Sequence, residues 1–204
     1  MSLESDRPAS KQRRRLLDDP LAIRALAHPL RIELHALVGR SGRITAAEAA
    51  RELEISQALA SHHLRQLAKY GFVEQVAGDD NRARPWRVVD TSTSWQGAEE
   101  TPEGAAAAAV LEQVIAEQAL SRFIDWQDRR SQWPTRWRGY SGLNHSTIWL
   151  TEDELVDLMQ SIEDLVGHYA EERVIDDVEA RPDGAVAVDI TMLGIPVGDP
   201  PAVD

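Results

Sequence analysis

Between Thr45 and Val89 the residues read as helix, tight turn, helix and strand pair with almost no slack, and this string restricts the fold more than anything else in the chain. Thr45-Ala46-Ala47-Glu48 is a capping box, in which the threonine side chain caps the first amides and the glutamate reaches back. A short alanine-rich helix follows and ends near Leu53. Glu54-Ile55 makes the turn, with Ile55 expected in the core. Ser56 is a good N-cap for a second helix, from Gln57 to Tyr70, with Ala60, Leu64 and Leu67 as its inner stripe and Gly71 as its stop. Alanines at such a junction let the two helices approach closely.

Phe72 to Ala77 and Arg84 to Val89 read as strands around the turn signal Gly78-Asp79-Asp80-Asn81, with Pro85 on an edge strand. Upstream, Pro20 opens a short helix carrying Leu21, Ile23 and Leu26. His28-Pro29 then starts another helix, whose stripe is Leu30, Leu34, Leu37 and Val38 and whose stop is Gly39 to Gly42.

A helix braced this way, with strands behind it, has the shape needed to enter the ~12 Å major groove of DNA. Gln57, Ala58, Ser61, His62 and Arg65 fall away from the inner stripe. Gln57 suits adenine, Arg65 suits guanine or a phosphate, and Ala58 suits a thymine methyl. The plainer alternative is that the same residues form a solvated helix face.

Charge supports a division of labour. The 204-residue chain carries a net −12, yet residues 1–95 sum to +3 and residues 96–204 to −15. Nucleic acid is therefore expected on the first part and an acidic, solubilising surface on the second. Residues 1–17 read as a basic flexible tail in which Lys11, Arg13, Arg14 and Arg15 either stay solvated or follow phosphates. There is no apolar run of the ~18–20 residues a membrane helix needs, and the basic N-terminus lacks the apolar core of a secretory signal. With no cysteine present, disulfides and thiolate metal sites are ruled out, and a cytoplasmic location is expected. No nucleophile elbow, phosphate-binding loop, dinucleotide fingerprint or paired-histidine zinc motif occurs, so no enzymatic activity and no cofactor are expected.

Residues 93–104 read as a linker, and a long helix runs from Ala105 to about Arg130. Its wide apolar stripe makes it the expected dimer contact. Ser146 to Leu150 and Ala185 to Leu193 read as strands, the second from the alternation of Val186, Val188 and Ile190. Between them Thr151 to Glu154 forms another capping box, and Leu155, Leu158, Ile162, Leu165 and Tyr169 space out the seam of a packed helix. Trp126, Trp133, Arg136, Trp137 and Trp149, with Tyr140 and Arg138, are the candidate pocket for an acidic or flat small-molecule effector. The alternative is that these aromatics staple a small core.

LAIRALAHPLRIELHALV, SQALASHHLRQLAKYGFVE and RPWRVVD together resemble the arsenical-resistance repressor (ArsR/SmtB) type of winged helix-turn-helix regulators, over about Asp18 to Asp90. The resemblance implies a repressor acting as a homodimer on a near-palindromic operator in double-stranded DNA. It implies Gln57, Ser61, His62 and Arg65 as DNA readers, with Ser56, Ala58 and Lys69 beside them and Arg82 and Arg84 on the wing. It also implies that His63 braces from within while His62 faces out. The departure is chemical: metal-sensing members use cysteines or a histidine-bearing C-terminal helix. This chain has no cysteine, and 105–130 has no histidine, so no metal site is expected. His168 and Glu172, one turn apart, make two ligands where zinc needs three or four.

The expected architecture is mainly α (α+β). Residues 18–92 form the winged helix-turn-helix, residues 105–195 a C-terminal α+β region for dimerisation and effector binding, and 196–204 a tail. Two other readings stay open: a winged helix that binds a protein partner, and a small-molecule-binding protein with weak DNA affinity.

Overall fold

Helix starts in this chain are set by side chains that satisfy orphan amides. The Asp19 carboxylate accepts from the Leu21 amide at 2.9 Å and Pro20 occupies the first position of α1, Pro20–Leu26. His28 and Pro29 repeat the device at α2, Pro29–Ser41, where the His28 Nδ1 accepts from the Leu30 amide at 3.2 Å. The capping box at Thr45 is complete: Glu48 accepts from the Thr45 amide at 2.8 Å and the Thr45 hydroxyl accepts from the Glu48 amide at 3.2 Å. It opens α3, Ala46–Glu52, and Ser56 then caps α4, Gln57–Lys69. In this computed structural model, residues 14–78, 84–90, 92–171 and 181–197 are described. Lys11, Arg13, Arg82, most of the expected wing turn and the last residues of the expected tail lie outside them.

The fold is mainly helical with two small sheets. β1, Arg14–Leu16, pairs in parallel with β4, Ser92–Ser94, in the register Arg14↔Ser92 to Leu16↔Ser94. β2, Val73–Gln75, pairs antiparallel with β3, Trp86–Val88. Ile44 adds a bridge to Trp86, exchanging both backbone hydrogen bonds at 2.8 and 3.1 Å.

One core holds the N-terminal region together: Ile23, Leu34, Leu37, Val38, Leu64, Leu67 and Val73 are fully buried. Each contributes about 1.5–3 kcal/mol of apolar burial. α5, Pro102–Arg129, joins it through Ala107, Ala108 and Leu111 and packs chiefly on α1. Its start is close-fitting. A Cβ on Gly104 would lie 2.1 Å from the Ala98 carbonyl oxygen, so only glycine fits under the Thr101 cap. Farther along, the buried Gln118 amide donates to the Pro29 carbonyl at 2.8 Å. Beyond Gln118 the chain leaves the core: α6, Thr135–Tyr140, and α7, Glu152–Glu171, bury almost nothing among the described residues.

Three expectations need correction. The stretch read as tail contains β1, and Leu17 behind it is 2% exposed. The Arg15 guanidinium donates to the Tyr70 carbonyl and lies 4.7 Å over the Phe72 ring, so it braces the domain instead of trailing in solvent. The stretch read as linker carries β4, a 3-10 turn at Gln96–Glu100 and the first turn of α5. Ser146 to Leu150 and Ala185 to Leu193 have no ladder, and their residues are exposed. A strand exists only where another edge accepts its hydrogen bonds, and among the described residues none pairs with them.

Removing the Leu17 side chain tests whether β1 belongs to the folded domain. Leu17→Ala is expected to cost ~2–5 kcal/mol by urea unfolding, as for other buried leucines. Leu16→Ala next to it, at 59% exposure, is expected to stay within ~0.5 kcal/mol.

Candidate nucleic-acid interface

The turn between α3 and α4 places the second helix. Leu53 closes α3, with its amide on the Ala49 carbonyl at 3.1 Å, and the Ile55 amide reaches the Ala50 carbonyl at 2.9 Å. Glu54 between them adopts φ 53°, a left-handed conformation that costs a non-glycine residue roughly 1–2 kcal/mol. That reversal turns the chain within two residues. Ile55 is half-buried instead of fully enclosed. Ala49, Ala50 and Ala60 are all buried where the two helices meet.

The rotation of α4 follows from its stripe. Ala60, His63, Leu64 and Leu67 face inward. Ser56, Gln57, Ala58, His62, Arg65 and Lys69 are exposed, and Ser61 is half-buried. The sequence-predicted contact residues of α4 thus share one outward face, and the helix bears no acidic residue. On the wing, Arg84 is exposed, whereas Arg87 lies against Glu74 at 2.7 Å across the β2–β3 pair.

Histidines form the inner side of this helix. The His63 ring lies against His28 with centroids 4.7 Å apart and planes tilted by 45°, and its Nδ1 is enclosed with no hydrogen-bond partner. Burial pushes both imidazoles below their ordinary value, and the positive charge of Arg31 adds to this. His62 lies 5.2 Å from His63 but faces out. Among the described residues no group of three or more His, Cys, Asp or Glu is arranged to hold a metal.

Among the described residues, the aromatics proposed for an effector meet in two ring pairs. Trp126 stacks on Phe123 at 6.3 Å under the Arg130 guanidinium, and Trp133 lies 5.9 Å from Trp137. Arg136 and Trp149 are exposed. An open groove of about 350 Å³ lies instead on the N-terminal region, between the end of α2 and α3, lined by Arg43, Ile44, Glu48, Arg51 and Glu52. Sequence reasoning missed the Ile44 bridge, the Arg15 brace and the His28–His63 contact. A histidine capping a helix just before proline was the one visible signal for the last.

A braced pair of helices with a two-stranded wing defines a winged helix-turn-helix domain. In agreement, the family described as helix-turn-helix domain matches residues 26–76. Among solved structures, the chain is similar to wild-type MarR in its apo form from E. coli (17% identity, covering 73% of this chain and 88% of that one, TM-score 0.30). It is also similar to the heme sensor PefR from Streptococcus agalactiae in complex with heme (16% identity, 78% and 82%, TM-score 0.30). A third is a MarR mutant from E. coli complexed with operator DNA (16%, 71% and 85%, TM-score 0.30). No curated protein matches it. Among the described residues no helix is long and apolar enough to cross a membrane.

The partly buried His35 is expected to make the domain acid-sensitive. His35 sits edge-on to Phe72 at 6.2 Å, and burial, with Arg15 nearby, pushes its imidazole down to about 4. The unfolded chain takes up this proton near pH 6.5 while the folded chain resists until about 4. Stability is therefore complete above that window and falls as pH drops through it. His35 should account for on the order of 2–3 kcal/mol of the loss. Urea unfolding at several pH values, repeated on His35→Phe, measures it: the variant should show a shallower decline, and equal slopes would refute the neutral buried imidazole.

Proposed function

We propose that this chain is a DNA-binding transcription regulator, a repressor of the arsenical-resistance type without metal sensing, that binds a near-palindromic operator as a homodimer. The observation that carries this is the outward row Gln57, Ala58, Ser61, His62 and Arg65 on α4, backed by buried alanines and by His63 packed against His28. Its chemistry suits base edges: a forked amide, a forked guanidinium, a hydroxyl and a methyl on one face, with no carboxylate to repel phosphates. Lys69 and Arg84 flank the row as phosphate contacts. The acidic C-terminal half disfavours other docking orientations, because its field repels the duplex.

Two-fold symmetry suits a palindrome, with recognition helices one DNA turn apart, ~34 Å. Val110, Leu120 and Ile124 on α5 are exposed apolar residues consistent with such a partner.

Selection from a random duplex pool on the purified chain should yield a site with two related half-sites. On that site Arg65→Ala is expected to lose ~1–3 kcal/mol, about 5- to 150-fold, and to relax preference at one base position. A uniform loss across sequences with a shallower salt slope would assign Arg65 to a phosphate instead. If Arg65→Ala and Gln57→Ala both bind as the parent does, or no duplex is retained at low salt, the proposal fails and a protein partner becomes the reading.

A further inference from the structure

Two imidazoles meet behind the outward face of α4. His63 is 7% exposed on the inner side of the helix, and its ring centroid lies 4.7 Å from that of His28. His28 is the N-cap of α2, and its Nδ1 accepts from the Leu30 amide at 3.2 Å. An accepting Nδ1 leaves the ring proton on Nε2, so this cap exists only while the imidazole is neutral. At the next residue the Gln118 amide of α5 donates to the Pro29 carbonyl at 2.8 Å. The His28 ring is thus fixed by its cap bond, and the turn that carries it is fixed by α5.

The surroundings supply no negative charge to balance a second proton. Arg31 of α2 acts on both rings, with its Nε enclosed and unpartnered and its Nη2 donating to the Arg24 carbonyl of α1 at 3.2 Å. α1 has no acidic residue, and Glu33, the one acidic residue of α2, is exposed. α4 adds His62, 5.2 Å from His63, and bears no carboxylate, while the Tyr70 phenol at its end acts on Arg31. From α5 comes Gln118, an uncharged amide, and the adjacent Glu117 is exposed and accepts from Gln113 at 2.8 Å. A proton on either imidazole therefore adds positive charge to a basic cluster. On His63 Nδ1 it would also face no acceptor among the described residues.

We propose that the His28–His63 contact is a pH-operated latch: with both rings neutral it holds α4 in its reading position, and on protonation it parts and the chain lets go of its duplex. This inference rests on the DNA-binding reading above and adds a regulation to that site. The sign follows from the environment. Burial first, and the neighbouring positive groups after it, keep both imidazoles below the ordinary 6.5. The latch is closed above that value and opens as pH falls through the lower values of the folded chain. Without a latch the sign is the reverse, because acid charges outward imidazoles such as His62 and strengthens phosphate contacts.

The test is duplex affinity of the full chain on its selected site from about pH 7.5 to about pH 5, with near-UV circular dichroism confirming the fold at each point. The parent should weaken at least ~10-fold over that range. His28→Asn with His63→Gln keeps a capping oxygen and removes both titrating rings. Its affinity should hold steady or rise as pH falls. If the double variant does not fold, His28→Asn alone should at least halve the decline on a logarithmic scale. A parent that binds more tightly in acid, or folded variants that weaken as steeply as the parent, overturns the latch and leaves the regulator reading intact. Amide exchange on the free chain separates the two readings. Corrected for the intrinsic rate, the amides of 60–67 should exchange faster at the acid end in the parent and not in the variant. If no duplex binds at any pH the regulator reading fails, and equal exchange of those amides in parent and variant then overturns the latch as well.

Discussion

Close approach between α3 and α4 is the constraint on which the other features of the domain depend. Two helices pack ~8–10 Å apart according to the side chains at their contact. Ala49, Ala50 and Ala60 are all buried, and such small side chains allow a close approach. The chain turns through Glu54 within two residues, and the Ser56 cap then starts α4. A bulkier residue at any of the three positions pushes α4 outward and turns Gln57 and Arg65 away from their shared face. Rigidity matters here because base-edge hydrogen bonds are short and directional, so a reading helix has to be fixed before it meets its duplex.

Polar groups carry much of the bracing, which is unusual for so small a core. His63 is buried against His28, Gln118 donates to the Pro29 carbonyl, and Arg15 holds the Tyr70 carbonyl beside the Phe72 ring. Each ties an element of the helix-turn-helix to a segment outside it: the cap of α2, the long helix α5 and the strand β1. The imidazoles do this in the neutral form, because burial disfavours their charged state. The domain accordingly reaches past residues 26–76, where the helix-turn-helix family matches, to include β1, β4 and the first half of α5.

The two halves of the chain solve opposite surface problems. The N-terminal part closes a core and leaves a polar, basic face outward. Its C-terminal counterpart forms well-capped helices, with Glu154 accepting from the Thr151 amide at 2.8 Å, yet encloses almost nothing. Helices stabilised by caps alone are marginal in water, and most helical stability comes from packing an apolar face. On α7, Leu158 and Leu165 of the expected seam are exposed, as is Val166. The net −15 of residues 96–204 keeps unspecific association down.

What sequence alone determined was local: the capping boxes at Thr45 and Thr151, the prolines opening α1 and α2, the inward stripe of α4 and hence its outward residues. These follow from spacing and from hydrogen bonds between groups three residues apart, so nothing distant is needed to decide them. Tertiary structure decided the rest. The pairing of Arg14–Leu16 with Ser92–Ser94, the bridge from Ile44 to Trp86 and the contact of His28 with His63 join residues far apart in the chain, and no short-range pattern encodes a partner. Segments 146–150 and 185–193 show the same limit from the other side. Their alternation marks them as fit for a sheet, but a strand's hydrogen bonds belong to its neighbour, and among the described residues no such neighbour pairs with them.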